Sequence, residues 1–185
     1  CVLYPARPTP ASSGGGTGNS SYSGVVLSGT AEATQYNFPE VRQPSLSGFV
    51  YVDGNLDGVR DAGSDAAIPN AVVRLLNAAT GALVATATTD SIGAYSFTGL
   101  DPMVVYTLEE PLPANPANLA NGPVNPGLVN GLACSSGCTA QANAPVAGTD
   151  RITGIDLSAG LDGTLFNFGE RQLASISGLV YVDAD

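Results

Sequence analysis

Apolar positions in this chain fall in short runs with a period of two, the first clear one being Leu46–Val52. Runs of the same kind predict strands near residues 46–52, 71–76, 83–89, 94–98, 104–110, 152–158 and 164–170. Explicit turn signals separate them. Thr80-Gly81 lies between the second and third, Ser91-Ile92-Gly93 between the third and fourth, and Asp162-Gly163 between the last two. Seven or so short strands punctuated in this way predict an all-β sandwich. The stretch Pro111–Asp150 breaks the pattern: rich in Pro, Asn, Gly and Ala, it predicts a long surface loop with at most one or two short strands.

The pattern also repeats. Tyr22–Asp53 aligns without a gap on Ile152–Asp183, so that Gly24 recurs as Gly154, Phe38 as Phe168 and Gly48 as Gly178, a constant offset of 130 residues. Val50-Tyr51-Val52-Asp53 returns intact as Val180-Tyr181-Val182-Asp183. The repeat sets the expected organisation. Residues 1–41 are the C-terminal strands of a preceding repeat with a Ser/Gly-rich loop, 45–172 a complete sandwich, and 174–185 the first strand of a following repeat. The simplest source of such a chain is a head-to-tail tandem array. The rival is a subunit whose ends are completed by its neighbours through strand exchange.

Composition narrows the function. Net charge is −10, with six arginines and no lysine or histidine, so nucleic acid would be repelled and metal cations are the natural counterions. No apolar run reaches the roughly 18 residues that cross a bilayer, and no membrane span is expected in this segment. Without histidine, Ser/His and Cys/His nucleophilic pairs are excluded, and no phosphate loop with its lysine is present. Glu109 and Glu110 are adjacent on a strand and so point to opposite faces, which argues against a paired-carboxylate active site. The chain is not expected to be an enzyme.

Cys134 and Cys138, in a Ser/Gly-rich loop without histidine, make a poor zinc site. They are read as a local disulfide, against free thiols or exchange with another chain, and this favours an oxidising, extracellular or cell-surface location. Cys1 falls in the equivalent loop of the preceding copy, as half of a pair whose partner lies upstream; a lipidated N-terminus is the competing idea. Asn19-Ser20-Ser21 is a glycosylation sequon in the run Pro8–Ser23, making glycans candidate attachments at Asn19.

One segment carries site chemistry, Asp53–Asp65. Calcium needs six to eight hard oxygen ligands converging in a tight loop, with oxygen side chains at positions 1, 3, 5 and 9, a carbonyl at 7 and glycine at 6. Asp53, Asn55, Asp57 and Asp61 fill the side-chain positions, Val59 the carbonyl position and Gly58 the turn. Position 12, where a glutamate belongs, is Ser64, and Asp65 is the substitute ligand. The predicted cofactor is Ca2+. The competing reading is an acidic, glycine-rich turn that merely caps a strand.

Several motifs in order resemble the SdrD B-like domains, relatives of the Cna B-type, prealbumin-like sandwiches of bacterial surface proteins. The matching residues are Ser47–Asp53 leading into the loop, Ile68–Leu75, Thr89–Phe97, Gly99-Leu100, Tyr106–Glu110 and Asn167–Glu170. The resemblance implies an Ig-like or prealbumin-like sandwich in tandem repeat, a rigid calcium-stabilised spacer. Asp90 resembles the family's second turn, where a plain turn role is preferred to a metal role. Cna B-type domains often carry a Lys–Asn isopeptide bond, which a chain without lysine cannot form. The expected function is a structural repeat of an extracellular filament, stalk or fibre, its partners being adjacent similar repeats. The alternative is an adhesin or ligand-binding module presenting the 111–150 loop.

Overall fold

The computed structural model describes residues 42–134, 137–142, 148–180 and 182. The chain divides into two units, Cys1–Glu40 and Val41–Asp185. The first lies outside the described residues, as do Asn19, Cys1 and the expected strands of the preceding repeat.

Eleven strands are found among the described residues: β1 Leu46–Val52, β2 Ala66–Ala67, β3 Val72–Asn77, β4 Leu83–Thr88, β5 Ala94–Phe97, β6 Val105–Pro111, β7 Leu119–Val129, β8 Leu132–Ala133, β9 Thr139–Gln141, β10 Thr149–Asp156 and β11 Gly163–Gln172. They form two sheets. One runs β2-β1-β11-β7-β8 with β5 also paired to β1, and the other runs β4-β3-β6-β10-β9. Apolar side chains from both sheets, among them Val50, Leu75, Leu108, Ile152, Phe166 and Phe168, join in one core. The two-sheet, all-β sandwich expected from the pattern is therefore present. The period of two is its cause: Val73 and Leu75 are buried while Val72 and Arg74 between them are exposed.

Six of the seven expected strands lie within about two residues of their predicted limits, and the sixth in order, expected near 152–158, instead starts at Thr149. Two expectations need correction. Pro111–Asp150 is not a long surface loop, because β7 occupies eleven of its residues and β8 and β9 follow. Pro123 and Pro126 are tolerated in β7 because only Leu128 and Val129 pair with β8; among the described residues no other strand pairs with that side of β7, so no proline has to donate to it. Asp162-Gly163 does not close a hairpin either. β10 and β11 belong to different sheets, and a 3-10 turn at Ser158–Gly160 carries the chain across.

The first and last strands are neighbours. β1 and β11 pair in parallel, Leu46 opposite Gly163 and Val52 opposite Glu170. At the start of β1, Asp162 accepts hydrogen bonds from the Ser45 amide (2.8 Å) and hydroxyl (2.9 Å), and Arg42 donates to Gly160 O (3.0 Å) and to Asp162 (2.5 Å). After β11 the chain leaves the sheet. Residues 173–180 form no strand, and Ile176, Leu179 and Val180 are fully exposed. The sequence of Ile176–Val182 matches β1, but β1 is held by β11, β5 and β2, whereas among the described residues no strand pairs with residues 173–180.

Candidate cation-binding loop

β1 delivers Asp53 to the rim of the sandwich. Its amide donates to Glu170 O at 2.7 Å, which pins the start of the loop to β11, and its side chain is buried. A Cβ on Gly169 would lie 3.2 Å from that of Asp53, so this approach needs the glycine. The Asp53 carboxylate accepts from Leu56 N at 2.7 Å and from Gly58 N at 2.8 Å. The chain must curl around it to make these bonds. Leu56 and Gly58 accordingly both have positive φ, 60° and 77°.

The remaining acids follow the curl. Asp57 accepts from Val59 N at 2.8 Å. Asp65 closes the loop, accepting from Asp61 N at 2.8 Å and from Gly54 N at 3.3 Å. Ser64 instead donates to the Asp61 carbonyl at 3.5 Å. Of the two residues considered for the twelfth position, it is thus Asp65 whose side chain reaches back across the loop. The Asn55 amide nitrogen lies 2.9 Å from Asp57 and 3.3 Å from Asp61, a donor inserted between two carboxylates.

The loop is fastened to the sheet on both sides. Asn125 of β7 donates to Gly58 O at 3.3 Å, and Arg60 stacks 4.2 Å above the Phe49 ring while donating to Ile92 O at 3.1 Å. Tyr51 lies beneath. Its hydroxyl is buried without a hydrogen-bond partner, and burial first, then the carboxylates of Asp53, Asp65 and Asp57, push its pKa up.

This donor set fits a hard cation. A carboxylate oxygen that accepts one N–H keeps a second lone pair. Turning the Asn55 amide would present a further oxygen where its nitrogen now separates Asp57 from Asp61. Asp90, in contrast, accepts from Ile92 N and Ala94 N, both at 2.9 Å, and so has the role of a turn aspartate. Cys134 and Cys138 are joined as a disulfide with a Cα–Cα distance of 5.2 Å.

Sequence reasoning missed a second group of acids. Among the described residues, the one set of three acidic side chains whose ligand atoms all lie within 4.8 Å of one another is Glu110, Asp150 and Glu170. All three are fully buried. The signal was present: Tyr106, Leu108 and Glu110 share one face of β6, and Phe166, Phe168 and Glu170 one face of β11, so each glutamate occupies the next inward position after two apolar ones. Glu109, on the opposite face, pairs with Arg151.

Residues 44–132 match the SdrD B-like domain family. This segment is an SdrD B-like domain. SdrD B-like domains are structural, non-enzymatic units of bacterial surface proteins. Strands β10 and β11 lie beyond the matched residues, yet each sits between two others in its sheet. A solved structure with some likeness is the crystal structure of the major plantain pollen allergen Pla l 1. It is 14% identical, the alignment covers 72% of this chain and 98% of that one, and the TM-score is 0.35, too low to bear on fold or function. No curated protein matches the chain. Among the described residues no helix is long and apolar enough to cross a membrane.

Proposed function

We propose that this chain is a length of an extracellular filament, stalk or fibre in which sandwiches recurring every 130 residues follow head to tail, each rigidified by Ca2+ in the Asp53–Asp65 loop. The observation that carries the reading is the parallel pairing of β1 with β11. Parallel neighbours run the same way, so the chain comes in at one end of the sandwich and leaves at the other. Successive domains are then strung along the strand direction. An antiparallel first and last strand would have returned the chain to its starting end.

The proposed ligands are Asp53, Asn55, Asp57, the Val59 carbonyl, Asp61 and Asp65. Calcium suits them because it accepts many oxygens in flexible geometry. Asp53 starts the loop and is bonded to β11, so an ion there would stiffen the domain where its first and last strands meet. The adhesive alternative loses its principal support, since much of the 111–150 segment is paired into the sheets.

Electron microscopy of the native material tests the reading. The expected result is a continuous fibre whose axial period matches one domain, on the order of 35 Å from strands of about ten residues at roughly 3.3 Å each. Monomeric particles would overturn it.

A further inference from the structure

Glu110 and Asp150 are direct register partners on β6 and β10, and Glu170 and Asn121 are direct register partners on β11 and β7. The first pair belongs to one sheet and the second to the other. The two pairs thus face each other across the interior, at one end of the core. Asn121 donates its amide to Asp150. The four carboxylate oxygens of Glu110 and Glu170 are buried and receive no hydrogen bond from any backbone, amide or basic group.

Such an arrangement is costly as it stands. Removing a carboxylate from water is tolerated only when a partner replaces the lost hydration. Arg151, next to Asp150 on β10, is engaged on the other face by Glu109. Glu110 and Glu170 are within hydrogen-bonding reach of each other, and a proton shared between them satisfies one oxygen of each. The other oxygen of each glutamate remains without a hydrogen bond.

We infer that Glu110, Asp150 and Glu170, supported by Asn121, form an interior binding site for a hard divalent cation of the calcium class, distinct from the Asp53–Asp65 loop. A divalent ion takes one oxygen from each of three carboxylates held within 4.8 Å of one another and offsets two of their three charges. The ligands are all oxygens, which excludes a preference for soft metals. The site is closed to solvent, which disfavours magnesium because it retains several of its waters. Bound there, the ion bridges β6 and β10 of one sheet to β11 of the other, a clamp between sheets that the rim loop cannot supply. Because the three acids have no solvent exposure, the ion is enclosed as the domain folds and does not leave until it unfolds.

The test is metal analysis of the full chain, refolded with CaCl2 and then passed by gel filtration into EDTA. One calcium per chain is expected to survive this step, the rim ion being stripped, while equilibration in CaCl2 without EDTA gives two. Glu110→Gln with Glu170→Gln is expected to abolish the EDTA-resistant ion and leave the other. Asp57→Asn with Asp61→Asn is expected to do the reverse, so that failure of the rim site and failure of the interior site give different counts. No EDTA-resistant ion in the wild-type chain, or the same count in the folded glutamine variant, overturns the inference and leaves the cluster as proton-sharing acids. Should the glutamine variant not fold, wild-type crystals grown in MnCl2 decide the matter. An anomalous peak among Glu110, Asp150 and Glu170 supports the site, and its absence there overturns it.

Discussion

The Tyr95 hydroxyl donates a hydrogen bond of 2.6 Å to the main-chain oxygen of Phe166, deep in the sandwich. The bond crosses β1, and it can do so only because Gly48 lies between: a Cβ on that residue would stand 1.7 Å from Phe166 O and 2.9 Å from the tyrosine hydroxyl. On this side of β11 the parallel β1–β11 register shifts between Leu46 and Val50, so the regular ladder is interrupted beside Phe166. Tyr95 therefore fills a gap in the ladder. Replacing it with phenylalanine leaves a buried carbonyl unmet and is expected to cost about 1–3 kcal/mol in urea unfolding. Gly48→Ala forces β1 and β11 apart and is expected to exceed about 4 kcal/mol, the range in which single substitutions abolish folding. A Gly48→Ala protein with near wild-type stability would contradict the geometry.

The loop reading makes a separate prediction. A ligand that binds only the folded state at about 100 times its Kd adds roughly 2.7 kcal/mol, which for a domain of this size raises Tm by roughly 10 °C. Differential scanning calorimetry in CaCl2 and in EDTA is expected to show a shift of that order. The shift should shrink markedly in Asp57→Asn with Asp61→Asn, whose carboxylates flank the Asn55 amide. If wild-type Tm is the same in both buffers, the acidic turn merely caps β1.

How much of this was legible beforehand differs from element to element. β1, β3 and β5 are open in the sequence because their alternation of apolar and polar residues reports burial directly. β7 is not. Its Asn121-Gly122-Pro123 and Asn125-Pro126-Gly127 are turn chemistry by any local rule, and only pairing with β11 makes them a strand. Alternation is equally silent about which sheet a strand joins, so Asp162-Gly163 looked like a hairpin turn while the chain was crossing between sheets. At the rim, residue type and spacing marked the loop as a candidate, and in the structure the Asp65 side chain, rather than that of Ser64, reaches back across it. The interior acids escaped because a glutamate in sequence reads as a surface residue, although Glu110 and Glu170 keep the inward phase of their strands.

Asp162 offers a test by pH. The hydrogen bond from Arg42, then those from the Ser45 amide and hydroxyl, hold its carboxyl below the usual aspartate range. A depressed folded-state pKa means that its contribution is present above the unfolded aspartate value, about 3.9, and is lost as pH falls through the lower folded value. NMR titration is expected to show the Ser45 amide resonance moving with the Asp162 carboxyl, at a pH below the ordinary aspartate value of about 3.9. Asp162→Asn should remove that transition and speed hydrogen exchange at Ser45. Exchange unchanged by the substitution would mean that the segment before β1 is held by other contacts.

Pulling the domain by its two ends tests the architecture that the proposed fibre requires. Tension applied before Leu46 and after Gln172 draws the parallel strands β1 and β11 past each other along their length. The hydrogen bonds from Leu46–Gly163 to Val52–Glu170 are then loaded together, whereas a hairpin opened from its free ends breaks one bond at a time. Single-molecule force spectroscopy is therefore expected to give one high-force event for this domain when it is pulled end to end. A clearly lower force is expected when the same domain is pulled through handles placed at Val72 and Thr88, which face each other on the β3–β4 ladder and peel apart. Calcium should raise the first force more than the second, because Asp53 joins the loop to the β11 strand under load. Equal forces in the two geometries would remove the mechanical argument for a load-bearing repeat, even if the loop binds its ion.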